Sequence, residues 1–461
     1  MSKVFVFGID GAFPEYIFGE WKNELPTLNK LMQQGIYAKL NSSVPCLSVT
    51  AWSSILTGKP PAETGIFEYM QRKNNSYYNW NVITSNNLKE KTLWKVAGEH
   101  NKKSIICNIL LTWPIKPLDG IMITGPLTPI GSKYIYPEGL ESELNNVFEK
   151  IPPVDIPNFR SLSKEEIAEA ITKHTQKQIE MMLYLCKNKP WDFFFAMVPM
   201  SDRMNHTFWR YMDPLHRKYD PASPLKDTLK KFYQYLDKKL EEFLLLLDED
   251  TRVIVLSDHD IMRMHTSVNL TDWLMQNGYM VLKEPVKEKK EFNFEMVDWS
   301  RTKAFAIGAY EGQVFLNLKD REPEGIVEEN EYGGLIDELI EKLGKITGDD
   351  GKKLDTRFFK KKECFIGKKD EHAPDLMIYF DDLQYGCNNT LIGNETLWSP
   401  QTAKGSDDAG HSKQGIFIMN DGKHEQGDIG EVSYLDVAPT VLNLMDIPVP
   451  EDMKGKIIGT L

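Results

Sequence analysis

Val253-Ile254-Val255-Leu256 is an unbroken run of branched apolar residues that stops at Ser257-Asp258-His259-Asp260. A strand with no polar face fits the interior of a parallel sheet covered on both sides. Open parallel sheets carry their chemistry just beyond the carboxyl ends of their strands. Asp258 and His259 would then offer a hard oxygen and an imidazole nitrogen at such an edge. A strand-ending turn with a surface histidine is the plain alternative. Repetition favours the chemical reading. "KVFVFGID" stops at Asp10 in the same manner, and "DFFFAMVPM" runs into Asp202 and His206. These two are four residues apart, so a helix there would put both on one face.

Segments of helical period alternate with these strands. Helices are expected over "TLNKLMQQG", stopped at Gly35, and over Thr92–His100. A long helix should open at a Ser163/Glu166 capping box, and an amphipathic one at Thr228. The fold class that follows is α/β, a mainly parallel, doubly wound sheet with helices on both faces and a small inserted or cap region. A single catalytic domain is expected over 1–461. Residues 127–165, rich in Pro and Gly, read as a small insertion. Residues 299–400 read as a smaller α+β subdomain near the active edge, beginning with a hairpin joined at Tyr310-Glu311-Gly312. Gly405 to His411 reads as a flexible loop.

Composition narrows the function. A net charge of −12 on 461 residues argues against nucleic-acid polymers or anionic membranes as partners. An anionic substrate would need local positive charge, which bound metal can supply. Cys46, Cys107, Cys186, Cys364 and Cys387 are odd in number with no C-x-x-C, so reduced thiols are expected. The opening "MSKVFVFGID" enters a strand without a long apolar leader, and no apolar run of about 18 residues follows. A cytoplasmic location with no membrane partner is the expectation.

Asp10, Asp202, His206, Asp258, His259 and His411 are three carboxylates and three imidazoles. Such a set suits a pair of borderline divalent ions. His100, His174, His216, His265, His372 and His424 have no such context. Ser48 and Thr50 precede an apolar, helix-compatible run, Ala51 to Leu56. A hydroxyl there is either an N-cap or a nucleophile whose negative charge, with that of a phosphoryl group, the helix end favours. Tyr69, Tyr77, Tyr78 and Trp80 could stack on a base or a choline-like group, or belong to an ordinary surface loop.

In chain order these features resemble the alkaline phosphatase superfamily, and within it the type I phosphodiesterase/nucleotide pyrophosphatase branch. The matching residues are Asp10 after the first strand, Ser48 with Thr57-Gly58 nine residues on, Asp202-x-x-x-His206, Asp258-His259 and the late His411. "GIFEY", "TLWKVAGE", "APDLMIYF" and "SYLDVAPTVLNLMDIPVPEDMKGK" extend the similarity over nearly the whole chain. The resemblance implies one metal held by Asp202, His206 and His411. It implies a second held by Asp10, Asp258 and His259, with the Ser48 oxygen as a further ligand. Zinc is the first expectation, with manganese or iron as alternatives. Ser48, favoured over Thr50 by its spacing to Thr57-Gly58, would be the nucleophile of a phosphoric ester hydrolase. It would pass through a phosphoseryl enzyme and act on a small-molecule phosphate ester.

The chain departs from the pattern at Thr64, where many relatives have His, and at Asp260, where many have Gly. Neither is a ligand in the pattern, so the departures concern substrate contacts. Sulfatase chemistry is disfavoured because Thr50 stands where the sulfatase motif that begins at Cys46 needs Arg. Two other enzyme readings are a phosphomonoesterase and a phosphoglycerate-mutase-like transferase. The mutase needs a larger insertion than 127–165. A non-catalytic binding protein on the same fold would be expected to have lost ligands, yet all six are present. Oligomeric state is not legible.

Overall fold

Apolar runs with no polar face become the middle of a nine-stranded sheet, as their composition requires. The computed structural model describes residues 2–149, 151–157, 161–400, 408–423 and 426–459. In chain order the sheet strands are β1 Val4–Ile9, β2 Ile36–Asn41, β3 Ser104–Ile109, β4 Gly120–Thr124, β5 Ile135–Tyr136, β6 Phe193–Val198, β7 Arg252–Leu256, β8 Gln414–Asn420 and β9 Gly427–Ser433. They lie in the order β9-β2-β8-β7-β1-β6-β3-β4-β5. Only β5 and β8 run against the other strands. β1, the first strand in the chain, sits between β6 and β7, parallel to both.

Alternate residues of the buried strands feed two separate cores, one on each face. Phe5, Phe7, Phe194 and Val255 pack under helices Pro26–Gln34, Lys164–Asn188, Met200–Met212 and Thr228–Leu244. Val4, Val6, Phe195 and Ile254 pack on the other side under Ser48–Thr57, Leu93–Glu99 and Val437–Leu444. The chain is thus a doubly covered α/β fold. The Ser163/Glu166 capping box opens the long helix as its sequence indicates.

A third core lies beyond the main sheet. Ala304–Ile307, Gly312–Leu316, Arg357–Lys360 and Leu376–Tyr379 form a four-stranded antiparallel sheet. Helices Leu270–Gln276 and Tyr332–Leu343 pack against it. The segment 127–165 adds β5 to the edge of the main sheet, followed by helix Leu140–Phe148. Among the described residues no helix is long and apolar enough to cross a membrane.

One expectation is corrected here. His411 is not in a loop: Ala409–Ser412 is a strand, paired antiparallel with Asp260–Arg263, and His411 stands opposite Ile261. Its partner is far away in the chain, so the local Gly-Ser-Asp composition hides the pairing. Residues 405–407 of the expected loop lie outside the described residues, as does His424.

Candidate metal centre

Three neighbouring strands end together and deliver most of the site. β1 and β7 are in register with Gly8 opposite Leu256, so Asp10 and Asp258, each two residues on, emerge side by side. β6 ends with Val198 opposite Ile9, and the chain turns at once into helix Met200–Met212. Asp202 and His206 share a face of that helix, with His206 Nε2 3.1 Å from Asp202 Oδ1. His411 Nε2 lies 3.5 Å from the same oxygen. His259 Nε2 is 3.2 Å from Asp258 Oδ2 and 3.5 Å from Asp10 Oδ1. All six expected ligands meet in one place.

Ser48 joins them. Its Oγ is 3.0 Å from His259 Nε2 and 3.2 Å from Asp10 Oδ1. It is the first residue of its helix. The N-cap is Leu47, without a capping side chain, so the bland capping role does not apply to Ser48. Thr50 is fully buried and its hydroxyl bonds to none of these groups. The helix ends at Gly58, whose φ of +64° is the left-handed conformation a C-terminal cap favours.

Each imidazole is oriented from behind. His206 Nδ1 donates to Ala409 O at 2.7 Å, His411 Nδ1 to Cys46 O at 2.8 Å, and His259 Nδ1 to Asp260 O at 3.0 Å. A carbonyl can only accept, so the hydrogen of each neutral ring sits on Nδ1 and the Nε2 lone pair points inward. Those lone pairs face carboxylate oxygens: acceptor meets acceptor. A cation between them resolves the conflict, and a backbone bond at the far nitrogen is how metal-binding histidines are commonly held.

The electrostatics point the same way. Burial, with the nearby charges of Asp258 and Asp202, holds Asp10 well above the usual carboxylate range. Burial and Asp202 do the same to Asp258. Burial also opposes ionisation of Asp202, and only positive charge at the His206 and His411 imidazoles overcomes it and holds its carboxyl well below that range. Burial and His411 keep His259 neutral. Crowded buried carboxylates of this kind require a compensating positive charge. Asp202 Oδ1 and Asp258 Oδ2 are buried with no hydrogen-bond donor. The residues therefore fit divalent metal. The ligand atoms of Asp10, Asp258 and His259 lie within 4.8 Å of one another, as do those of Asp202, His259 and His411. His259 is thus close to both sets, because its ring stacks on His411 at 3.8 Å. His206 joins the second set through Asp202.

Several neighbours escaped the sequence reading. Trp52 Nε1 donates to Asp10 Oδ2 at 3.0 Å. Its place four residues after Ser48, on the same helix face, was the available signal. Tyr310 packs on His206 and His411 from the second sheet, and nothing local announces it. The aromatic segment divides. Tyr69 hydrogen-bonds Ser48, and burial pushes its phenol well above its usual pKa. Tyr77 instead stacks on Trp299 at 3.5 Å, Tyr78 accepts from Trp299 Nε1, and Trp80 lies against Phe294. These three fasten a hairpin, Met70–Arg72 with Trp80–Val82, to the second sheet. Tyr77, 1% exposed, is therefore not placed to stack on a substrate.

Known proteins share this architecture. Murine ectonucleotide pyrophosphatase/phosphodiesterase 5, solved as an inactive variant in complex with AMP, superposes with a TM-score of 0.55 at 12% identity, over 99% of this chain and 98% of that one. The human protein gives 0.56 at 12% identity, over 98% and 97%. No curated protein sequence matches the chain. The sequence profile of type I phosphodiesterase/nucleotide pyrophosphatase matches residues 4–398. That match runs from the first strand of the main sheet to the far side of the second, and with it the chain belongs to the type I phosphodiesterase/nucleotide pyrophosphatase family.

Proposed function

We propose that this protein is a two-metal phosphodiesterase that works through a phosphoseryl intermediate on Ser48. The observation that carries the reading is the convergence of six ligand side chains around one serine oxygen at the carboxyl edge of the sheet. Asp202, His206 and His411 would hold one divalent ion, and Asp10, Asp258, His259 and Ser48 the other, with zinc the best match to the imidazoles. When bound, such a pair supplies Lewis acidity that favours the serine alkoxide and the charge on the leaving oxygen.

The chain's own residues set up the rest. Ser48 Oγ opens a helix whose N-terminal dipole favours the phosphoryl charge. Ser48 Oγ would attack phosphorus in line, forming one P–O bond as the bond to the departing alcohol breaks. Water would then break the phosphoseryl bond, returning the serine hydroxyl and releasing the phosphate product. Asp10 is held for this task by the Trp52 indole, and Tyr69 hydrogen-bonds the serine.

Membership of the type I phosphodiesterase/nucleotide pyrophosphatase family supports a diester over a monoester. The AMP held by the murine relative supports a nucleotide ester as the first substrate to try.

A panel of bis-nitrophenyl phosphate, nitrophenyl phosphate and nitrophenyl sulfate, with zinc or manganese added, tests the reading. The diester should turn over fastest, and chelator should abolish it. Ser48→Ala should lose at least about a thousandfold in kcat, the size expected when a nucleophile is removed. Full activity in that variant would refute the nucleophile, and faster turnover of the monoester would refute the substrate class.

A further inference from the structure

We infer that Tyr310, reaching in from the second sheet, is a positioning residue that holds the His206/His411 half of the metal centre. The inference rests on the two-metal reading and gives the second sheet a part in it.

Tyr310 stands in the turn between strands Ala304–Ile307 and Gly312–Leu316 and is 3% exposed. The turn is fixed at its start: Gly308 has φ +111°, and a Cβ there would come within 2.0 Å of Glu311 O. The Tyr310 ring lies nearly parallel to His206, 10° between planes and 5.0 Å between centroids. It is 4.5 Å from His411, and the two imidazoles are 5.1 Å apart. The three rings thus close a triangle. The Tyr310 hydroxyl is 3.4 Å from His206 Nδ1, whose hydrogen goes to the nearer Ala409 carbonyl at 2.7 Å. The ring face, not the hydroxyl, therefore carries the contact.

One hydrogen bond at Nδ1 fixes where an imidazole sits but not its tilt, for which His206, among the described residues, has no stacked imidazole as near as the His259 ring, 3.8 Å away, that His411 has. A flat ring packed against both imidazoles removes that freedom. His206 comes from a helix and His411 from a strand far along the chain, so a third body is what keeps their Nε2 atoms aimed at one point. The Asp10/Asp258 half receives its alignment from strand register.

Metal-stripped protein titrated with cobalt, by equilibrium dialysis and by the visible absorption of the bound ion, tests this. The wild type should bind two ions. Tyr310→Ala should bind one ion about ten- to a hundredfold more weakly, the usual loss when a group supporting a metal ligand is removed. The other ion should keep its affinity within about threefold. Tyr310→Phe should match the wild type. Tyr310→Leu, which fills space without a flat ring, should behave as the alanine variant does, and carries the test if that variant fails to fold. Two ions at wild-type affinity in Tyr310→Ala or Tyr310→Leu would overturn the inference alone. A phenylalanine variant as weak as alanine would overturn the role of the ring. A wild type that binds no cobalt would overturn the metal reading and this inference with it.

Discussion

Asp10 and Asp258 project from adjacent strands of the main sheet, and His259 follows Asp258 directly. Asp202 and His206 come from a helix, and His411 from a strand in a separate two-stranded pairing. The side chains of the first set are at most 3% exposed, whereas the Asp202 side chain is 21% exposed. One half of the proposed metal centre is therefore fixed by the register of the main sheet; in the other, His411 is in register with Asp260–Arg263 but Asp202 and His206 ride on a helix that no ladder ties to it. A sheet register cannot shift by a fraction of a residue, but a helix and a strand can shift against each other. The second half should be the softer of the two.

The largest expected effect breaks the rigid half. Asp258→Ala removes a proposed ligand that also lies against His259, the residue close to both sets. Turnover should fall by roughly a thousandfold or more, in line with losing several kcal/mol of charge stabilisation, and added metal should not restore it. His206→Ala should weaken one ion by more than the loss of a supporting residue such as Tyr310 does, and excess metal should recover part of the activity. Metal content and rate measured across a metal titration compare the two. Equal, unrescued losses would erase the distinction between the halves.

A second prediction sharpens it through pH. His174 lies in helix Lys164–Asn188, which packs behind the helix carrying Asp202 and His206. Burial outweighs the pull of Asp155, and together with repulsion from Arg203 it pushes the His174 pKa down to about 4. In the unfolded chain the value is about 6.5. Above that neither state binds the proton and folding is unaffected. Below it the unfolded state takes up a proton that the folded state refuses until about 4, so stability falls as pH drops through this window. At pH 5 the loss should be about 2 kcal/mol. Urea unfolding of wild type and His174→Gln at pH 7 and pH 5 reads it directly. The glutamine variant should lack that part of the slope, and the same slope in both proteins would assign it to other groups.

Much of the rigid half was legible because its causes are local. Buried runs ending in Asp10 and Asp258 announce both the sheet and its active edge, and parallel pairing then places them together. The i, i+4 spacing of Asp202 and His206 became a shared face once the helix formed. The strand that carries His411 was not legible, because its partner, Asp260–Arg263, is remote and its own sequence reads as a turn. Tyr310 was seen at a hairpin joint, but its destination depends on how the second sheet docks, which no periodicity encodes. The aromatic segment misled for the same reason. Tyrosines in a polar loop look like substrate contacts until the surface they fasten to is known.

That segment gives the smallest expected effect and tests the boundary between binding and holding. Tyr77 is 1% exposed; its hydroxyl donates to Asn317 Oδ1 at 2.5 Å and accepts from Glu324 N at 3.2 Å. Removing that hydroxyl leaves buried polar partners unmet, which costs about 1–3 kcal/mol. Tyr77→Phe should therefore lower the unfolding free energy by that amount, read as a lower urea midpoint, while the ring still stacks on Trp299. Diester kcat and KM should stay within about twofold, since the residue holds the second sheet and does not meet the metal centre. A raised KM at unchanged stability would move Tyr77 into the substrate site. It would also show that the hairpin serves binding, and the second sheet would then meet the reaction at more than the one ring of Tyr310.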